Sequence, residues 1–368
     1  MLIKIFAFPS HQTAERTSGV DFARIIQPMK HLDGFKHNGN EFQVRHFDIV
    51  KDLYADWRNI VKDVDIVYFN YTVNPWAFAH LGFAVREAGK KIIMDLDDAV
   101  WNVMSDNPTY MTYKKDAQGI KDLTSICNEV DGMTTTSLYL KNVIVHNTRK
   151  RHEQIKVFPN YVDLKLYSHR SPPKNTPYEI NLTHFGSTTH FYDLTDNEFE
   201  AGVDRIMKEY PNVIITTIGH SIAKHANKWG SRYRTDYGHT DIYRWIGEKF
   251  PTFMDQSDIC VVPLVDSVYN RCKSSIKFLE MSSAMKPGVW QDIRQYREVV
   301  QDGKNGFLAS SADQWYNAIK TLITDVQKRR EVAENAFKTV SDGWTIQGHL
   351  EDYAEYFEGL LTGSRPVS

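Results

Sequence analysis

The run Asn270-Arg271-Cys272-Lys273-Ser274-Ser275-Ile276-Lys277-Phe278-Leu279-Glu280 sets three cations and a carboxylate at spacings that suit a bound anion. A strand is predicted over 259–264, a loop follows, and a helix begins near Ser274. Lys273 and Lys277 are then four residues apart on one face, with Arg271 just before them. Like charges at that spacing repel by roughly a few tenths of a kcal/mol, and cations at a helix N-terminus oppose the macrodipole by about as much again. An anion bound there reverses both signs, because backbone N–H groups and ammonium groups then point at one negative charge. A diphosphate meets that need; the alternative is a solvated basic face paired with acids elsewhere. Glu280, seven positions after Lys273, shares the face. Its carboxylate can accept from vicinal hydroxyls such as those of a ribose, or pair with Lys277.

Asp95-Leu96-Asp97-Asp98 offers a second group of carboxylates. A hard metal needs converging oxygens, and neighbouring carboxylates on a strand point to opposite faces, so no metal is expected there. The reading adopted is that Asp97 or Asp98 faces a cleft and contacts a sugar or an acceptor hydroxyl, with helix N-capping by Asp98 as the alternative. Two basic stretches remain. Arg149-Lys150-Arg151-His152 is one, and 224–234, with Lys224, Lys228, Trp229, Arg232 and Tyr233 and no acid, is the other. Such mixtures suit phosphate tracking with base stacking, or solvated loops.

The elements that must position these groups alternate from the first residue. Strands are predicted at 2–8, 42–47, 65–71, 91–95, 132–137 and 155–159, with helices near 22–31, 53–61, 76–88, 113–130 and 138–146. The Pro-rich polar stretch 166–179 reads as a linker. Alternation then resumes, with strands at 180–185, 213–218, 234–237, 259–264, 288–291 and 306–309, and helices at 196–209, 241–250, 275–285, 312–324, 325–340 and 346–361. Parallel strands need crossovers, so the fold class is α/β with two doubly wound Rossmann-like domains facing a central cleft. Open sheets of this kind bind ligands at the carboxyl ends of their strands.

The chain of 368 residues is about twice the commonest single-domain size, which agrees with two domains. Hydrophobic residues at 42% and charged residues at 24%, with 13 Pro and 20 Gly, exclude disordered and collagen-like classes. The net charge of -2 excludes a whole-protein field that would attract nucleic acid. Cys127, Cys260 and Cys272 are too few and scattered for a disulfide framework or zinc knuckle, and a reducing, cytoplasmic setting is expected. The apolar start 1–8 is too short for a signal peptide, and no stretch approaches the about 20 apolar residues of a membrane span. A GxGxxG fingerprint after the first strand, a GxxxxGKS/T loop and a GxSxG elbow are all absent, which argues against dehydrogenase, P-loop and hydrolase classes.

The 262–308 region resembles the retaining GT-B glycosyltransferases of the large family 4 type. Val262-Pro263-Leu264, then Asn270, Lys273-Ser274, Lys277, Leu279-Glu280 and Pro287, then Tyr296-Arg297-Glu298-Val299-Val300 through Asp302-Gly303-Lys304-Asn305-Gly306 follow that family's donor-domain pattern. His184-Phe185-Gly186-Ser187-Thr188-Thr189-His190 through Asp193-Leu194 looks like its GSxTHxxDL turn. Ser18-Gly19-Val20 and Arg24 through Pro28 resemble its YRxxxP element, and Asp95 to Asp98 its DLDD element. The family's paired-glutamate motif sets a first Glu where this chain has Cys272, and the usual Arg and Lys of the GSxTH region are not evident, so Lys273 and Lys277 are expected to carry more of the diphosphate charge.

The resemblance implies a GT-B fold with an acceptor-side domain at 1–165, a nucleotide-sugar donor domain at 178–344, and helix 346–361 crossing back to the first domain. It implies transfer of a sugar from a nucleoside diphosphate sugar to an acceptor hydroxyl with retention, and no cofactor or metal. Catalysis is expected from Asp97, Asp98, Lys273 and Lys277, and donor binding from Gly186, Ser187, His190, Arg271, Ser274 and Glu280. Gly186 lets backbone approach a diphosphate, Ser187 supplies a hydroxyl, and His190 donates to phosphate or base, or else is structural beside Tyr192. Gly19 and Arg24 are assigned to the acceptor side. The acceptor is a glycan or small molecule; a viral-type enzyme acting on hydroxymethylated DNA bases and a non-catalytic nucleotide-sugar binder are the competing classes.

Overall fold

The computed structural model describes residues 1–9, 16–52, 56–71, 75–174, 178–186, 190, 192–219, 221–236 and 241–363. The first sheet contains β1 (Leu2–Phe8), β2 (Lys36–His37), β3 (Asn40–His46), β4 (Ile66–Asn70), β5 (Lys91–Leu96), β6 (Gly132–Thr135) and β7 (Ile155–Val157) in the order β2-β3-β1-β4-β5-β6-β7. The second contains β8 (Ile180–Phe185), β9 (Val213–Ile218), β10 (Tyr233–Asp236), β11 (Ile259–Val262), β12 (Gly288–Gln291) and β13 (Phe307–Ala309) in the order β10-β9-β8-β11-β12-β13. Every strand pairing is parallel except the hairpin β2–β3. That hairpin turns on Asn38 (φ 46°) and Gly39 (φ 77°), a dipeptide that tolerates the left-handed region.

Both sheets are covered on both faces, as parallel sheets must be. Along β1, Phe6 and Phe8 enter one core with Phe69 and Met94, while Ile3, Ile5 and Ala7 enter another with Tyr68 and Ile93. In the second domain Cys260 and Val262 face one core and Ile259 and Val261 the other. The strand period of two decides which residues reach which layer.

The C-terminal helix Leu350–Thr362 covers the first sheet, not the second: Leu350, Tyr353, Ala354, Tyr356 and Phe357 share a core with Ile3, Ile5 and Tyr68. Phe158 stacks on Tyr353 at 4.0 Å. Elsewhere the domains meet through both polar and apolar contacts. Thr17 N–H donates to Asp241 Oδ2 at 2.9 Å, Ile242 N–H to Thr17 O at 3.1 Å, and Phe22 packs edge-on to Tyr243 at 5.3 Å.

Two regions differ from the sequence reading. Residues 224–234 are not a loop: helix Ala223–Trp229 and the start of β10 occupy them. The helix expected near Ser274 begins at Ile276, so Lys273 lies in the turn before it. Ser275 stands at the N-cap without a side-chain capping bond.

Candidate active site

In each sheet the strand order reverses beside the first strand, between β1 and β4 and between β8 and β11, and loops leaving such a point diverge and open a crevice. The segments that follow β8 and β11 carry His190, Asp193, Lys273 and, at the start of the next helix, Lys277. Gly186 opens the first of these. A Cβ on it would lie 2.9 Å from His190 Cδ2, and one on Gly219, whose φ is +98°, would lie 2.0 Å from Gly186 O. At Gly219 the Gly186 backbone approaches so closely that only glycine fits, whereas at Gly186 the close neighbour is the His190 ring. Ser187 lies outside the described residues.

Lys277, on the first turn of helix Ile276–Ser283, is 8% exposed and meets His190 Nε2 at 2.8 Å, and not Glu280, the pairing the sequence left open. His190 Nδ1 in turn lies 2.7 Å from Asp193 Oδ2. Burial, with Lys273 adding to it, pulls the Lys277 ammonium down to about 7. Lys273 is held differently. Burial works against its charge, but Asp98, Tyr269 and Asp193 raise its pKa overall. Its Nζ is 3.7 Å from Asp98 Oδ1 and 4.7 Å from the Tyr269 ring centroid.

Asp98 therefore reaches across the domains and does not cap the short helix Val100–Asn102, whose N-cap is Ala99. Asp97 beside it has a buried Oδ1 with no hydrogen-bond partner, and burial, reinforced by Asp98 and Asp95, holds its carboxyl well above the usual range. Glu280 accepts from the Tyr167 hydroxyl at 2.6 Å, and burial pushes it up to about 7. Ser274 Oγ accepts from Asn160 Nδ2 at 2.7 Å, another bridge between domains.

The remaining assigned residues lie apart. Arg271 is exposed and forked onto Asp266 at 2.6 Å through both Nε and Nη2. Arg24 is 1% exposed and spent on Asp95 (Nε–Oδ1 3.0 Å, Nη2–Oδ2 2.8 Å), Phe158 O and Asn160 Oδ1. Its geometry is that of a buried strut beneath the first sheet's carboxyl edge. Gly19 is exposed, 3.8 Å in Cβ distance from Ile242 of the second domain. Cys272, at the position of the expected glutamate, is fully buried in the first domain's core, and its carbonyl accepts from Ser137 Oγ at 3.3 Å. Burial pushes its thiol up to about 12, so it stays protonated.

The basic stretches are paired internally. Lys224 bonds Glu200 at 2.6 Å, Lys228 pairs with Asp204, Arg232 donates to Met207 O, and Arg234 forks onto Glu179 at 2.7 Å. Lys150 is buried against Val130 O, and Arg151 pairs with Glu153. Among the described residues no group of His, Cys, Asp and Glu is placed to hold a metal, and no helix is long and apolar enough to cross a membrane.

Sequence reasoning assigned no role to Asp193, Tyr269 or Tyr167. Asp193 stood three residues after His190 in a turn, a spacing at which two side chains meet. Nothing local marked the other two, whose partners are 171 and 113 residues away.

Two parallel-sheet domains with a helix returning to the first define the fold as GT-B. Anabaena HepE, solved with UDP and glucose, superposes with TM-score 0.66 at 16% identity over 97% of this chain and 99% of that one. Sucrose-phosphate synthase from Thermosynechococcus elongatus gives 0.60 at 13% identity over 99% and 100%, and the trehalose-6-phosphate synthase OtsA 0.60 at 11% over 97% and 98%. Residues 195–325 match the family model described as glycosyl transferases group 1. No curated protein sequence matches the chain. The matched segment and the fold together support a GT-B glycosyltransferase, and the segment contains Lys273, Lys277 and Glu280.

Proposed function

We propose that this protein transfers a glycosyl unit from a nucleoside diphosphate sugar to an acceptor hydroxyl, with retention of configuration. The observation that carries the reading is the convergence of Lys273 and Lys277 beside an uncapped helix N-terminus at the second sheet's switch point, inside the matched segment. Lys277 is buried and its ammonium is disfavoured in part by Lys273, a repulsion that a polyanion lying between them would relieve. HepE, of the same fold, is solved with UDP-glucose, which makes UDP-sugars the first donors to try.

In the proposed reaction the bond from the anomeric carbon to the β-phosphate oxygen breaks, and the acceptor oxygen bonds that carbon on the same face. The acceptor proton passes to the departing diphosphate. Lys273 and Lys277 stabilise the charge that grows there, which lowers the barrier because the contact strengthens as the bond breaks. Asp97, with an open oxygen on the acceptor-side domain, contacts the acceptor hydroxyl. Glu280 receives the ribose hydroxyls. No protein nucleophile, metal or cofactor takes part in this scheme.

A DNA acceptor gains little support from the two basic stretches, since Lys224, Lys228, Arg234, Arg151 and Lys150 are engaged by Glu200, Asp204, Glu179, Glu153 and Val130 O, and Trp229 and Tyr233 are buried. A thermal-shift screen of nucleotide sugars tests the proposal: a donor that binds only the folded state raises the melting temperature with concentration. A flat response to every nucleotide sugar, with transfer absent as well, would refute it.

A further inference from the structure

Building on the diphosphate reading, we propose that Asp193 is the positioning residue for both donor cations: it fixes the tautomer of His190 so that Nε2 receives a hydrogen bond from Lys277, and it pins the loop that carries Lys273. Asp193 is 1% exposed, and its two oxygens have separate partners. Oδ1 accepts from Val265 N–H at 3.0 Å and from Asn270 Nδ2 at 2.7 Å. Oδ2 faces His190 Nδ1 at 2.7 Å. Burial moves the Asp193 carboxyl above its usual pKa, but the Val265 and Asn270 N–H groups and the Lys273 and Lys277 cations favour its ionised form; an ionised carboxylate only accepts, so Nδ1 carries the hydrogen. A neutral imidazole has one N–H, so Nε2 presents its lone pair, and Lys277 Nζ at 2.8 Å is the donor.

The second arm runs through Asn270. Its Nδ2 is shared between Asp193 and Val265 O, and its carbonyl accepts from Gln295 Nε2 at 2.9 Å and from the Lys273 N–H at 3.1 Å. Asp193 thus holds Lys277 through an imidazole and the backbone of Lys273 through an amide. In this scheme it acts through these groups and not on the donor.

Asp193→Asn separates this role from simple packing. Two N–H donors converge on Oδ1, so the amide oxygen stays there and the NH2 turns to His190. Nδ1 must then accept, the hydrogen moves to Nε2, and an N–H confronts the Lys277 ammonium. Side-chain 15N NMR of the ligand-free protein reads the tautomer: the wild type should show His190 protonated at Nδ1 only, and Asp193→Asn at Nε2. Inorganic pyrophosphate, titrated calorimetrically, should bind Asp193→Asn at least about tenfold more weakly, as the loss of one charge-assisted contact requires.

Lys277→Ala titrated with pyrophosphate separates the two claims. If it binds as the wild type does, the diphosphate reading fails and the positioning role with it. If it binds weakly while Asp193→Asn is unaffected, the donor reading stands and the role of Asp193 is overturned. Should Asp193→Asn not fold, the wild-type spectrum decides, because a His190 protonated at Nε2 contradicts the proposal directly.

Discussion

Tyr269 belongs to the second domain, yet its hydroxyl donates to Asp98 Oδ2 of the first at 3.1 Å while its ring packs in the first domain's core. With Lys273 on the other carboxylate oxygen, a donor-domain loop and an acceptor-domain carboxylate form one unit. Tyr269→Phe keeps the ring and removes the hydrogen bond. We expect a loss of about 1–3 kcal/mol in unfolding free energy, measured in urea, as for a bond to a charged acceptor. Unchanged stability would show that the domains do not depend on this contact.

Arg24 should matter for stability and not for acceptor choice. Arg24→Ala strands Asp95 without its cation in a buried site, which costs about 3–5 kcal/mol. Replacing both members by apolar residues, Arg24→Met with Asp95→Leu, should cost less than the single change. A stable Arg24→Ala that selectively loses acceptor turnover would restore the role that the sequence resemblance suggested.

How far the sequence reached depends on the range of the interaction. Strands such as β8, β9 and β12 were legible residue for residue, because an apolar run bounded by Gly, Pro or Asn is a local signal. The hairpin at Asn38-Gly39 was legible too but went unread. Lys273 and Lys277 were singled out by their spacing, although the turn before Ile276 removes the shared helical face that first joined them. Partner choice was not legible. Lys277 meets His190 at a separation of 87 residues and Arg24 meets Asp95 at 71, and only the folded sheet edges bring such groups together.

Glu280 sets a pH dependence of known sign. Its folded pKa, about 7, lies above its usual 4.5, so the unfolded chain ionises first. The stability it contributes is fully present below about pH 4.5 and is lost as pH rises through about 7, by an amount on the order of 3 kcal/mol at most. Lys277, lowered from 10.5 to about 7, acts above that window and with the opposite slope. Glu280→Gln should therefore flatten the fall in stability between about pH 4.5 and 7, followed by urea unfolding across the window. An unaltered slope would show that Glu280 ionises at its ordinary pH in the fold.

Transfer should survive a chelator. Asp98 already faces the Lys273 ammonium and the Tyr269 hydroxyl, so a divalent cation at the Asp97–Asp98 pair would have to displace an ammonium that Asp98, Asp193 and Asp97 favour against the cost of burial. Activity assayed with EDTA should match activity without it. Complete loss, restored by magnesium or manganese, would assign the aspartates to a metal.

The most direct test of the account is Lys277→Ala, with turnover and melting temperature measured on the same preparation, using the donor found in the nucleotide-sugar screen. Loss of a charge-assisted contact that strengthens as the diphosphate departs should cut turnover by about ten- to a hundredfold, at least as much as donor affinity, with the melting temperature close to wild type. A variant that is destabilised but turns over normally would contradict the assignment of Lys277 to the donor diphosphate.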